Sequence, residues 1–438
     1  MKNLTLALIS ILFALPIVAC GSDDVAPTGG DGQQGNQGNQ QEQQLPEEVQ
    51  FAVSLGAGWN LGNSLDAHWK NPESGVYEAN ETCWDKNNKS TQKTFDAVKK
   101  AGFTSVRIPV TWLGHVGNAP EYRIEKAWLD RVAEVAGYAK KAGLKAIINI
   151  HHDGFGAETN PAKKDYFWLN LPAAAKDEAL NTKIKQQLFM MWMQIANRFQ
   201  SEGDWLIFET LNEIQDGKWG GGDNLTDNGA QYRVLNEWNQ ICVDAIRATG
   251  GNNETRYIGI PGYVCQPGLT VEHLKMPVDA DGNPYKHIMV AVHMYDPWDY
   301  AGSGKWAEWG HTSNVPETKN GEAEYVGTLD ALYNKFVKNG IPVYLGEYGC
   351  VHRNTTRDEN FRKYYLEYTI KALRDHNIPF LFWDNGYNLA GDDAFGLIRH
   401  NDGKFIANGQ EIVKLMVDTW NNSDPDYTLK SVWEKAPR

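Results

Sequence analysis

The chain has 438 residues, 42% of them hydrophobic and 22% charged, with a formal net charge of −13. That length can bury more than one average core, and an acidic balance with no Lys/Arg-rich run excludes phosphate-rich partners such as nucleic acid. Sixteen Trp, 19 Tyr and 15 Phe stand out more than the charge does: aromatic faces stack on the C–H faces of sugars, although their first use is in cores.

The first twenty residues read as a processing signal. Met1-Lys2-Asn3 is a weakly basic start, and residues 4–19 are apolar but too short to span a bilayer comfortably. The stretch ends in Leu15-Pro-Ile-Val-Ala-Cys20, which resembles a bacterial lipobox, with small Ala19 before the cysteine. Cys20 is therefore the expected lipidation site, and a lipid anchor the expected contact with a membrane. Gly21-Ser-Asp-Asp24 points to the outer membrane and its external face. Residues 21–49, with the run Asp31-Gly-Gln-Gln-Gly-Asn-Gln-Gly-Asn-Gln-Gln, have almost nothing to bury and read as a flexible tether. Residues 50–438 form the expected single catalytic domain, and a monomer is expected. Beyond Cys20 the chain carries Cys83, Cys242, Cys265 and Cys350, which could pair in any of three ways or stay as buried thiols.

Within that domain, strand-length apolar and β-branched runs recur at 55–63, 104–109, 145–152, 205–213, 256–261, 287–295, 342–349 and 379–386. Several are nearly continuous hydrophobics, which suits parallel strands covered on both faces. Amphipathic stretches separate them at 91–101, 127–142, 184–200, 232–249, 323–339 and 360–376, and 410–420 would close the ring. Residues 262–286 carry the poorest helix signal. Eight alternating units predict an α/β protein of the (β/α)8 TIM-barrel class. The excess length falls after strand ends, at 64–90, 153–183, 214–230 and 296–322, where loops shape a cleft.

Polar residues gather at the C-terminal ends of these runs: Asn60, Arg107, His151, His152, Asn212 with Glu213, His293 with Tyr295, Glu347 and Trp383. Each would have to be desolvated and paired, so a set at seven of eight strand ends is difficult to explain as packing. Barrel enzymes build their sites there. Two carboxylates facing one another across a cleft are the minimum apparatus for cleaving a glycosidic bond. No metal is expected, because adjacent residues on a strand point to opposite faces and His151 and His152 would not share an ion. Gly56-Ala-Gly58-Trp-Asn-Leu-Gly62 is one residue too long for a dinucleotide fingerprint, and Gly302-Ser-Gly-Lys305 lacks phosphate-loop spacing. No Gly-x-Ser-x-Gly elbow is present. No cofactor is expected.

Taken in order, Arg107-Ile-Pro, His151-His152, Asn212-Glu213, His293-Met-Tyr295, Gly346-Glu347-Tyr-Gly and Trp383-Asp-Asn-Gly resemble the cellulase family of glycoside hydrolases, family five. Gly58-Trp-Asn-Leu-Gly-Asn-Ser-Leu-Asp66 and Glu81-Thr-Cys-Trp84 are similar to its endoglucanase and xyloglucanase branch. One departure is Ile214, where many relatives have proline. The resemblance implies a retaining barrel enzyme with Glu213 as general acid/base and Glu347 as nucleophile. It also implies that Arg107 and Tyr295 support the Glu347 carboxylate, that Asn212 meets the sugar 2-hydroxyl and that His293 sets the protonation of Glu213. His151 and His152 would hold substrate hydroxyls over the lower wall, and Trp383 would lie under the sugar being cleaved. Loop residues Trp69, Trp84, Trp219, Trp298, Trp306 and Trp309 are further candidates for sugar platforms or loop packing.

The expected function is an endo-β-1,4-glucanase acting on cellulose-like, mixed-linkage or xyloglucan chains. Another endo-acting specificity of the same barrel, such as β-mannanase, is the near alternative. A glycan-binding lipoprotein without catalysis, or a structural barrel, is the alternative of a different class.

Overall fold

The computed structural model describes residues 44–84, 89–154, 167–386 and 393–438. The signal, Cys20 and nearly all of the tether lie outside the described residues. Eight parallel strands close a barrel: β1 (Ala57–Leu61), β2 (Ser105–Ile108), β3 (Lys145–Asn149), β4 (Leu206–Glu209), β5 (Ile258–Pro261), β6 (Ile288–Met294), β7 (Val343–Tyr348) and β8 (Phe380–Asp384). β1 closes the ring by pairing with both β8 (Asn60 opposite Trp383) and β2 (Asn60 opposite Arg107). Each strand falls inside the run that predicts it. In β3 and β4 the polar ends His151, His152, Asn212 and Glu213 lie beyond the pairing, so these strands stop at Asn149 and Glu209.

The helices follow their apolar periodicity. Asp177 caps Glu178–Arg198 by accepting from the backbone N–H groups of Ala179 and Leu180, and Thr355 caps Thr356–Asp375 by accepting from Asp358. Gly143, at φ 71°, ends Lys126–Ala142 in the left-handed conformation a side chain would strain. Residues 262–286 hold the 3-10 turn Tyr263–Cys265 and the short helix Pro267–His273. The short helices Leu171–Ala174, Trp298–Ala301 and Leu429–Trp433 lie outside the predicted stretches, as do a first helix and a hairpin. The helix Glu47–Val53 buries Val49 and Ala52, so the folded domain begins before residue 50. Within the loop after β1, His68–Lys70 pairs antiparallel with Tyr77–Ala79.

The helices bury one face against the outside of the barrel in a continuous apolar shell. A second, smaller cluster fills the barrel interior: Ile147 from β3, Ile207 from β4, Met289 and Ala291 from β6, Tyr344 from β7 and Leu381 from β8, closed below by Ala52 and Leu55. Phe51 stacks on Tyr257 at 3.4 Å between centroids, so the first helix sits at the strand beginnings, opposite the C-terminal ends. Side chains alternate along a strand. Moving two residues up from this apolar layer therefore gives the next inward layer: Asn149 above Ile147, Glu209 above Ile207, His293 above Ala291 and Trp383 above Leu381.

The interior layer carries the stability of the ring. Ile207→Ala, at a fully buried position, should cost about 2–5 kcal/mol. Leu225→Ala, at a residue 47% exposed, should change stability by less than about 0.5 kcal/mol. Urea unfolding followed by tryptophan fluorescence measures both.

Candidate active site

Arg107 is fully buried at the top of the interior layer and supports the site from below. Its Nη2 lies 2.7 Å from Glu209 Oε1 and its Nη1 lies 2.8 Å from Glu347 Oε1. Nη2 also donates to Asn212 Oδ1 at 2.7 Å, and Nη1 to Asn60 Oδ1 at 3.2 Å. Burial works against the cation, but Glu209 and Glu347 more than restore it, so its pKa rises. Asn60 is equally buried, and its Nδ2 donates to the carbonyls of Gly346 and Leu381 at 2.9 and 3.0 Å. Arg107 and Asn60 thus lie beneath the cleft, tying β1, β2, β7 and β8 together.

Glu347 enters the cleft through an irregularity in β7. By alternation, Tyr344 and Gly346 face inward, and Glu347 would face out. The register slips there: Val292 pairs with Leu345, but His293 pairs with Glu347. The bulge turns Glu347 inward. Gly346 makes room for it, since a Cβ there would lie 3.1 Å from His293 Nε2. Tyr295 donates to Glu347 Oε2 at 3.1 Å, and His293 Nδ1 is 3.6 Å from the same oxygen.

Glu213 arrives from the loop after β4, with its side chain 21% exposed, and Oε1 lies 2.8 Å from His293 Nδ1. One ligand atom from each of Glu213, His293 and Glu347 falls within 4.8 Å of the others. The two glutamates therefore converge. Ile214, at the position where many relatives have proline, donates its N–H to the Asn212 carbonyl at 3.0 Å and accepts from Val264. Proline has no such N–H and could not make the first of these bonds.

The environments of these groups differ. Burial raises the Glu213 carboxyl to about 7, against the pull of Arg107. Glu347 is also moved upward, by burial, with Glu213 adding to it and His293 and Arg107 opposing it. Arg107 and Tyr295 contact Glu347 as expected, but they do not outweigh its burial. Burial lowers His293 to about 4, so its imidazole is neutral near pH 7. Glu209 is moved the other way: burial opposes its charge, and Arg107 overrides burial.

The remaining predicted residues line the walls. Trp383 is half-buried and nearly parallel to the His151 ring, at 6.1 Å and 5°. Gly62 lies under it, where a Cβ would stand 2.7 Å from the indole. Trp59 donates to Asp384 at 2.8 Å and fixes the strand end that carries Trp383. His152, His68 and Trp84 form an aromatic wall, with His152 at 5.4 Å from His68 and 5.5 Å from Trp84. Trp69, Trp219 and Trp298 are exposed, whereas Trp309 is fully buried among Tyr364, Tyr365 and Tyr368. Cys83, Cys242, Cys265 and Cys350 are unpaired thiols, all but Cys83 buried.

The alternation argument against a shared ion does not describe His151 and His152. Both lie past the end of β3, and their rings approach to 4.3 Å, with Asp66 beside them. The hydrogen bonds speak to the question instead. Val110 N–H donates to Asn149 Oδ1 at 3.0 Å, which fixes that amide so that its Nδ2 donates to His151 Nδ1 at 3.0 Å. The His151 hydrogen is then on Nε2, which is poorly suited to a metal. Asp66 already accepts from the N–H groups of Asn63 and Ser64. Two contributors escaped the motif reading. Glu209 is signalled only by a charge inside the apolar run Leu206-Ile-Phe-Glu209, and Tyr344 looks like an ordinary core aromatic.

The bulge can be tested directly. Gly346→Ala should push on the His293 ring and lower activity by on the order of tenfold to a hundredfold, since displacements near 1 Å cost that much. Circular dichroism should stay unchanged, and turnover of a soluble β-glucan is the measurement.

The chain matches the family model described as cellulase (glycosyl hydrolase family 5) over residues 69–389. It is 34% identical to endoglucanase A of Paenibacillus barcinonensis over 363 residues, covering 80% of this chain and 84% of that one. It is 33% identical to a xyloglucan-specific endo-β-1,4-glucanase of Bacteroides ovatus, over 77% of this chain and 65% of that one. Among solved structures, a Bacteroidetes-affiliated family 5 cellulase linked with a polysaccharide utilization locus is 57% identical, with a TM-score of 0.85, over 90% of this chain and 98% of that one. A broad-specificity endoglucanase from Bacteroides salanitronis is 49% identical, with a TM-score of 0.78, over 86% of this chain and 95% of that one. A barrel with two facing glutamates over a buried arginine, matched along most of its length by such enzymes, places this chain among the glycoside hydrolases: it belongs to the cellulases of glycosyl hydrolase family 5.

Proposed function

We propose that this endoglucanase cleaves cellulose-like, mixed-linkage and xyloglucan β-1,4-glucans with retention, using Glu347 as nucleophile and Glu213 as general acid/base. The observation that carries the reading is the approach of ligand atoms of Glu213 and Glu347 to within 4.8 Å. Retaining enzymes hold their carboxyl groups about 5–5.5 Å apart, whereas inverting ones leave about 6.5–9.5 Å for a water.

The division of labour follows from the surroundings. Glu347 is held by a buried cation and a tyrosine hydroxyl, both suited to its anion. Glu213 has no arginine at hydrogen-bonding distance, and its raised pKa keeps a proton available near neutrality. Glu347 attacks the anomeric carbon while Glu213 gives its proton to the departing glycosidic oxygen, leaving a glycosyl ester on Glu347. Glu213, now a carboxylate, takes a proton from water; the water oxygen bonds to the anomeric carbon and Glu347 leaves. Neutral His293 contacts Glu213 without adding a positive charge that would strip its proton. Arg107 occupies Asn212 Oδ1, so that amide presents its Nδ2 hydrogens to the sugar 2-hydroxyl. Trp383 lies under the ring being cleaved, and His151 and His152 meet the neighbouring hydroxyls. Exposed Trp69, Trp219 and Trp298 belong to the segments that follow β1, β4 and β6 and suit a long polymer.

Glu347→Ala and Glu213→Ala should each lower reducing-sugar release by on the order of 10³-fold or more. Carboxymethylcellulose, lichenan and xyloglucan should be cleaved with a rapid fall in viscosity, and mannan should not. Release from mannan alone overturns the substrate assignment. For the wild type, kcat/KM should fall as pH rises through about 7, where Glu213 loses the proton it must donate. Its acid limb should lie above the ordinary glutamate value of 4.5, because Glu347 must be ionised to attack. With a substrate whose leaving group needs no protonation, Glu213→Gln should remove the alkaline limb.

We also propose that Cys20 carries the lipid that anchors the full chain to the outer membrane. Labelled palmitate should enter the wild-type protein and not Cys20→Ala, which should move to the soluble fraction.

A further inference from the structure

Glu209 is 1% exposed and accepts five hydrogen-bond contacts from three side chains. Arg107 Nε reaches both of its oxygens at 3.1 Å, and Arg107 Nη2 reaches Oε1 at 2.7 Å. Asn149 Nδ2 donates to Oε1 at 2.8 Å, and Tyr344 Oη donates to Oε2 at 2.6 Å. The arrangement is built from several strands. Tyr344 can reach Glu209 because residue 259 on β5 is glycine, where a Cβ would lie 2.1 Å from the Tyr344 hydroxyl. Glu209 itself has no described contact with the open cleft, and the mechanism above gives it no step.

Two consequences follow from these bonds. First, the guanidinium is divided: Glu209 takes Nε and part of Nη2, and leaves Nη1 for Glu347. Second, Asn149 is held between Val110 N–H and Glu209, so its amide cannot flip. Its Nδ2 must donate to His151 Nδ1, which leaves the His151 hydrogen on Nε2, 4.0 Å from Glu347 Oε1.

We infer that Glu209 is a positioning residue for hydrolysis, one that neutralises and orients Arg107 beneath Glu347 and, through Asn149, fixes the tautomer of His151. This rests on the assignment of Glu213 and Glu347 made above. The charged and titratable groups around it are Arg107 on β2, His293 on β6, Tyr344 and Glu347 on β7, Glu213 in the loop after β4 and Cys265 after β5. Of these, Arg107 carries the full positive charge. With Glu209 neutral, that charge would bear on Glu347 and Glu213 uncompensated. The proton on Glu213 would then be lost at lower pH, since the Glu209 charge helps to retain it.

The experiment is the pH profile of kcat/KM on a soluble β-glucan for Glu209→Gln, Glu209→Asp and Tyr344→Phe in the full domain. Glu209→Gln should move the alkaline limb toward acid by about one pH unit and lower kcat by on the order of tenfold or more. Glu209→Asp, which keeps the charge, should leave the limb in place. A folded Glu209→Gln protein with an unmoved limb overturns the inference, because a purely structural part would lower the rate without moving the titration. Should Glu209→Gln not fold, Tyr344→Phe decides. It loosens Glu209 without changing charge, so kcat should fall severalfold at constant KM and an unmoved limb, and an unchanged kcat overturns the inference. Activity surviving in Glu213→Ala or Glu347→Ala would defeat the underlying assignment instead, and the two failures are separately visible.

Discussion

A single buried cation organises the catalytic end of this barrel. Arg107 has no access to solvent, so its charge must be answered by the protein. Two carboxylates answer it from opposite sides, Glu209 at 2.7 Å and Glu347 at 2.8 Å. Asn60 and Asn212 take the remaining directions. Because the guanidinium is a rigid planar fork, fixing it fixes the relative positions of β1, β4 and β7 at their upper ends. The apolar layer of Ile147, Ile207, Met289 and Leu381 beneath it keeps water out and gives those bonds their strength.

The electrostatics of the cleft then follow from which carboxyls the cation reaches. Glu209 lies against it and is held ionised. Glu347 lies against it but also faces Glu213 and low-dielectric surroundings, and burial moves its pKa up. Glu213 is farther away, contacts the neutral imidazole of His293, and rises to about 7. Three glutamates in one small volume are thus moved differently: Glu209 downward by the cation, Glu347 and Glu213 upward by burial, Glu213 to about 7. A two-step displacement needs that asymmetry: one group must arrive charged and the other must arrive protonated.

Around this centre the loops after the strands supply shape. The hairpin of His68–Lys70 and Tyr77–Ala79 brings His68 to His152, and Trp84 packs back by donating to the His68 carbonyl at 2.7 Å. Together with His152 they make a largely aromatic wall, suited to the apolar faces of a glucan. On the other side Tyr295 packs against Trp298 and Phe395. The walls therefore rest on side chains that also hold the loops in place.

Much of this was legible in the amino-acid order. Eight strand-length apolar runs alternating with amphipathic stretches specify a closed parallel barrel, because strands covered on both faces must be apolar throughout and helices on only one side. A polar residue ending such a run is expensive to bury, so Arg107, His151, Asn212, Glu213, His293, Glu347 and Trp383 announced a site before any coordinates. What the order could not state is how neighbouring strands slip against one another. Glu347 faces inward only because β7 bulges at Gly346, and alternation alone would have sent it outward. His151 and His152 meet because β3 stops at Asn149, and the sheet geometry that would separate them no longer applies. Asn60 reads as a cleft residue but lies beneath it. Glu209 and Tyr344 read as parts of ordinary core strands, yet they are partners of the buried arginine. Chemical type and period are properties of the chain itself, whereas the partner of a buried charge is set by register between strands distant in sequence, and only the folded barrel decides that.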